Sequence, residues 1–188
     1  MNDGGGILPA HGGYRRLKSF QMATIVYDGT VEFCRLYLDG KSRTVDQMVQ
    51  AARSGRQNIA EGSTDSGTSK KSELKLVGVA RGSLEELVLD FEDFLRQRGL
   101  PKWEKDHPKA KAVRELAYES NKTYETYRGL VERDAETAAN TLVCLIYQTC
   151  YLLDQQLRAL ERAFLEEGGI TERLYAARKG RLGRGPWS

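Results

Sequence analysis

Four long stretches of this chain repeat their apolar residues at spacings of three and four, and no stretch alternates β-branched with polar residues. A repeat near 3.6 buries one face of a helix, whereas a half-buried strand needs a repeat of two. The pattern predicts an all-α fold. The helices are expected over residues 15–38, 44–61, 69–98 and 134–167, with a weaker helical region over 107–133. Thr44-Val45-Asp46-Gln47 has the form of a capping box, and Gly62 is expected to end the second helix ahead of a polar loop, Ser63 to Thr68. Gly99 and Pro101 stop the third helix, and Gly168-Gly169 stop the last. Residues 1–13 form a Gly-rich leader expected to be disordered. The helical domain spans 14–168 with an insertion at about 100–133, and 169–188 is a basic C-terminal segment.

Composition narrows the class further. At 188 residues, 40% hydrophobic and 29% charged, the chain describes one ordinary globular domain with room for a real core. Cys34, Cys144 and Cys150 cannot all pair and lack metal-ligand spacing, so reduced thiols and a cytoplasmic setting are expected. The first residues show no basic segment followed by an apolar run, so no signal peptide is expected. Leu142 to Leu153 is interrupted by Gln148 and Thr149 and is too short to cross a bilayer, so no membrane partner is expected. His11 and His107 lie near no obvious nucleophile, and neither a phosphate-cradling glycine loop nor a metal motif is present. Catalysis is not expected, and neither is a cofactor.

The first helix carries two apolar seams on nearly opposite faces. One is Leu17, Phe20, Thr24, Tyr27, Val31, Cys34 and Leu38; the other is Met22, Val26, Gly29, Phe33 and Leu36. A helix with two such stripes must be covered on both sides. Another protomer is the expected second cover, which assigns Met22, Val26 and Phe33 to an oligomer interface. Cover by the inserted region within one chain is the alternative. The third helix has its core stripe at Val77, Ala80, Leu84, Leu87, Val88, Phe91, Phe94 and Leu95. Gly78 and Gly82 lie one turn apart on another face, each costing about 1 kcal/mol against Ala in a helix interior. Close approach of a neighbouring backbone is the expected compensation, so both join the interface.

Charge gathers between Lys41 and Arg81, within a chain of net charge +3. Arg53, Lys70, Lys71 and Lys75 are the candidates for phosphate contact, with a solvated charge run as the competing reading. Arg56 falls inside the core stripe of the second helix, where a structural ion pair with Glu61 or Glu73 is expected. In the C-terminal segment Arg181 and Arg184 are further candidates, with Tyr175 and Trp187 near enough in sequence to stack on bases.

Gln57-Asn58-Ile59-Ala60-Glu61-Gly62, followed one helix later by Ala80-Arg81-Gly82-Ser83-Leu84-Glu85-Glu86-Leu87, carries a resemblance. The arrangement resembles the four-helix-bundle proteins encoded within intervening sequences of large-subunit ribosomal RNA genes. The relatives of that family include the accessory variability determinants of diversity-generating retroelements and the "four helix bundle suffix" proteins. The resemblance covers roughly Tyr14 to Gly99. It implies an antiparallel four-helix bundle, here with additional helical segments, assembling as a ring-forming homo-oligomer, a homopentamer. It also implies a nucleic-acid-binding accessory, with RNA or DNA and a reverse transcriptase as partners. The matching basic positions are those of the second helix and the start of the third. A protein-interaction scaffold with no nucleic-acid role is the alternative.

Overall fold

The computed structural model describes residues 13–65 and 69–167, with Tyr175 and Lys179. Most of the predicted leader, most of the basic C-terminal segment, and with it Arg181 and Arg184, lie outside the described residues. Among the described residues the fold is all helical. A 3-10 turn, Tyr14–Arg16, precedes α1 (Lys18–Tyr37), α2 (Arg43–Asp65), α3 (Lys70–Gln97), α4 (Pro108–Leu116), α5 (Tyr124–Val131) and α6 (Ala135–Glu167). No helix among these is long and apolar enough to cross a membrane.

Local chemistry sets the boundaries. The turn after α1 is held by Asp39, whose carbonyl accepts from the Ser42 N–H at 2.8 Å. That places Ser42, rather than the expected Thr44, at the start of α2, where its Oγ accepts from the Thr44 N–H at 3.2 Å. Ser69 caps α3 in the same way, accepting from the Ser72 N–H at 3.1 Å. At the other end Gly99 adopts φ +63°, the Leu100 N–H reaches the Leu95 carbonyl at 2.9 Å, and the Gly99 N–H reaches Arg96 at 3.2 Å. This is the paired bonding of a left-handed glycine stop. Asp134 opens α6 by accepting from the Thr137 N–H at 2.7 Å.

Gly62 does not end α2. It and Ser63 are buried inside the helix, which continues to Asp65. A Cβ on Gly62 would lie 3.4 Å from the Glu73 carbonyl oxygen and 3.4 Å from the Leu76 Cβ; one on Gly55 would lie 2.8 Å from the Leu84 side chain. These glycines therefore let α2 and α3 pack closely, the role expected of Gly78 and Gly82. At both of the latter a Cβ would meet nothing within 4 Å.

The four long helices close a circuit of contacts, α1 on α2, α2 on α3, α3 on α6, and α6 on α1. Their cross-links run in opposite senses along each pair. Ser54 shares a hydroxyl hydrogen bond of 3.0 Å with Ser83, while Gly62 sits against Glu73 and Leu76. Lys70 reaches the Ala163 carbonyl at 3.3 Å and Arg81 reaches Asp154 at 2.6 Å. Ser19 donates to Gln156 at 2.8 Å, and a Cβ on Gly29 would touch Leu142.

The core lies inside this circuit. All eight residues of the predicted α3 stripe are buried, with Met48, Ala52 and Ile59 of α2 and Ala138, Leu142, Leu145 and Thr149 of α6. Met22, Val26 and Phe33 belong to it as well. Each is 2% exposed or less, and the Phe33 ring meets Phe91 and Phe94 of α3 edge-on at 4.9 and 4.7 Å. Side chains covered by their own chain cannot cover a second copy, which corrects their assignment to an oligomer interface. The inserted region supplies part of that cover, since α5 packs on α1 and α6 and α4 packs on α6.

Candidate nucleic-acid interface

The cations singled out in the sequence do not form one patch. Arg53 is exposed on α2, level with Ser83, since Ser54 meets Ser83. Lys75 lies eight residues before Ser83, ~12 Å along α3 at 1.5 Å per residue. Lys71 and Lys75 are exposed, whereas Lys70 is half-buried and committed to the Ala163 carbonyl.

Arg56 is not the centre of an ion pair. Its guanidinium lies 4.1 Å from the centroid of the Tyr27 ring, in cation–π geometry between α2 and α1. Glu61 is exposed, and Glu73 is buried beside Lys70. Burial pushes the Glu73 carboxyl above its ordinary range, and the Lys70 charge opposes that. The Tyr27 face, with the Asp28 charge near enough to feel the guanidinium, holds an arginine that the sequence pattern assigned to Glu61 or Glu73. The bridge between long helices is made instead by Arg81, whose guanidinium holds Asp154 of α6 and Glu85 at 2.6 Å each.

Positive charge converges elsewhere, on a groove of about 890 Å³ between the inserted region and α6. Lys18 from α1, Lys102 and Lys105 from the linker before α4, Lys111 and Arg114 from α4, and Lys122 from the loop after it all line the groove. Among the described residues two carboxylates, Glu104 and Glu115, line it with them. Lys102 is held by Glu92 at 2.5 Å and Lys111 by Asp106 at 3.7 Å. Arg114 donates to the Lys105 carbonyl at 2.5 Å, a bond that leaves its charge uncompensated. Among the described residues Lys18, Lys105 and Lys122 make no ion pair.

The opposite wall is α6. Val143, Cys144, Tyr147, Gln148 and Tyr151 line it, with Tyr147 52% and Tyr151 63% exposed. Tyr118, just past α4, is 90% exposed at the rim. Tyr147 donates its hydroxyl to Glu92 at 3.1 Å, which fixes the ring's direction. Burial raises the Cys144 thiol, against the opposing Arg114 charge, so the groove wall presents a protonated sulfur at neutral pH. The Oε1 of Gln148 is buried with no hydrogen-bond partner, while its Nε2 makes a long 3.4 Å bond to the Arg114 carbonyl.

Asn140 builds the groove. Its Oδ1 accepts from the Trp103 N–H at 2.7 Å, and its Nδ2 donates to the Pro101 and Glu136 carbonyls at 2.9 Å each. The Trp103 indole donates to Glu136 at 2.8 Å and stacks on His107 at 5.2 Å. The linker carrying Lys102 and Lys105 is thus pinned to α6. Sequence reading passed over these cations because they sit in the weakly patterned insertion. The available signal was their density, Lys102, Lys105, Lys109, Lys111 and Arg114 around Trp103. Among the described residues no group of His, Cys, Asp and Glu could hold a metal ion.

Comparison of the chain with family models, with curated proteins and with solved structures finds no match.

Proposed function

We propose that this protein is a non-enzymatic nucleic-acid-binding accessory, an antiparallel four-helix bundle of α1, α2, α3 and α6 with α4 and α5 as an inserted binding element. The observation that carries this reading is the groove between α4 and α6, where Lys18, Lys105, Arg114 and Lys122 make no ion pair among the described residues and lie beside exposed tyrosines, while Lys102 and Lys111 are held by Glu92 and Asp106. Phosphates are drawn to such a surface whatever the base sequence. The resemblance in Gln57–Gly62 and Ala80–Leu87 supports the same class, with RNA or DNA handled by a reverse transcriptase or tied to ribosomal RNA as the implied setting.

Self-assembly is part of the proposal. With Met22, Val26 and Phe33 inside the core, the contact falls to the outward face of α3. There Val79 is 44% and Leu89 62% exposed, and the space over Gly78 and Gly82 is open. Glycines in a helix interior are otherwise a cost, and an approaching second backbone offsets it. A pentamer, as the resemblance implies, would repeat the groove around an axis and sum its field. The same exposed face supports the second reading, a scaffold that binds only proteins. Fluorescence anisotropy with labelled RNA and DNA at low and high salt separates the two. Binding that falls steeply with salt supports the first, and absence of binding at low salt leaves the scaffold.

A further inference from the structure

We infer that the groove between α4 and α6 holds an unpaired nucleic-acid strand, its bases against the tyrosines of α6 and Tyr118, its phosphates against Lys105, Arg114 and Lys122. This rests on the nucleic-acid reading above and names the form of ligand and the site. The two walls differ in kind. The linker and α4 side carries Lys102, Lys105, Lys111 and Arg114 with Glu104 and Glu115, and Tyr118 at its far end, while the α6 side carries no charge and presents Tyr147 and Tyr151 one helical turn apart, with Val143 and Leu152. A single strand has the same division, an anionic backbone along one edge and flat apolar faces along the other. A duplex buries those faces in its own stack, so its bases could not use the aromatic wall.

Size agrees. The lining residues of α6 run from Asn140 to Leu152, ~18 Å at 1.5 Å per residue. At 3.4 Å per nucleotide of a stacked strand this is room for about five nucleotides. The tyrosines are half to nine-tenths exposed in the free protein, although each carries a large apolar face that burial would stabilise. Gln148 adds an acceptor without a partner on the α6 wall, the complement of a base amine.

The test is anisotropy of labelled oligouridylate and oligothymidylate, against a duplex of equal length and against uridine monophosphate as competitor. The wild-type protein is compared with Tyr118→Ala, Tyr151→Ala, Tyr151→Phe, and Lys105→Glu with Arg114→Glu. Thermal melting confirms that each variant folds, and Tyr118 and Tyr151 are exposed enough for truncation to spare the core. The inference predicts tighter binding of single strands than of duplex, a loss of about 5- to 150-fold for each Ala substitution, and retention in Tyr151→Phe. Equal affinity for duplex and strand, insensitive to both tyrosines but abolished by the charge reversal, overturns the stacking site and leaves phosphate binding standing. Competition by the mononucleotide at the strand's own affinity overturns the extended strand. Binding unaffected by the charge reversal overturns the groove as the site. No binding of any nucleic acid at low salt overturns both this inference and the function beneath it.

Discussion

Asn140 accepts a hydrogen bond from the backbone N–H of Trp103 at 2.7 Å, joining the second turn of α6 to the linker that carries two groove lysines. The residue is 1% exposed. Asn140→Ala leaves the buried Trp103 N–H without its acceptor, at about 1–3 kcal/mol for an unsatisfied buried group. We expect a stability loss of about 1–3 kcal/mol in urea unfolding, together with weaker nucleic-acid binding as Lys102 and Lys105 lose their anchor. A loss below about 0.5 kcal/mol would mean that the linker is held by other contacts.

The glycines separate internal packing from assembly. Gly55→Ala places a Cβ 2.8 Å from Leu84 and should destabilise the fold, by about 1–3 kcal/mol as overpacking does. Gly78→Ala and Gly82→Ala meet open space within the chain, so each should add about 1 kcal/mol of helix stability at concentrations where the protein is monomeric. In light scattering the same two substitutions should move the mass toward the 21.1 kDa of one chain. An assembly whose mass they leave unchanged would place the contact on another face.

Much of this fold was legible because the apolar repeat is a statement about burial. In α3 the repeat picks out eight positions, all of them buried, and the Gly99 stop follows from the residue type that adopts its positive φ most readily. What failed, failed where sequence cannot say which neighbour arrives. Gly62 reads alike as a helix stop or as a close crossing, and the Glu73 backbone decides for the crossing. Phe33 reads as a second seam and finds Phe91 and Phe94 inside its own chain. The groove was least legible. Its cations come from α1, α4 and two loops, and Asn140, which assembles it, is one polar residue in an apolar stretch.

Arg56 over Tyr27 predicts a modest interaction. Arg56→Ala should cost about 0.5–2 kcal/mol, the range of a cation–π contact, rather than the 3–5 kcal/mol expected on breaking a buried ion pair, about that size in general. A double-mutant cycle with Tyr27→Leu isolates the pair. Coupling of Arg56 to Glu73 instead of Tyr27 would restore the ion-pair reading.

Stability should decline in alkali. Burial pushes the Cys34 and Cys150 thiols up to about 11 from 9.0, and the Tyr127 hydroxyl up to about 12 from 10.0. The unfolded chain therefore loses these protons first, and ionisation pulls the equilibrium toward it. The thiol contribution is fully present below pH 9.0 and is lost as pH rises toward about 11, by up to about 3 kcal/mol for each thiol. Urea midpoints measured across that window should fall, and Cys34→Ala with Cys150→Ala should flatten the fall from its own starting stability. A wild-type midpoint that holds steady would contradict the burial of the thiols.

The most direct test of the account is the salt dependence of single-strand binding in the wild type and in a Lys105→Gln, Arg114→Gln, Lys122→Gln variant. Each phosphate contact contributes about 0.7 to the slope of log K against log salt concentration for a single strand. Neutralising three groove contacts should therefore make the slope shallower by about 2 and weaken binding at low salt. Neutralising Arg53, Lys71 and Lys75 should change it less. A slope unmoved by the groove substitutions, or one moved mainly by those on α2 and α3, would contradict the assignment of the groove as the nucleic-acid site.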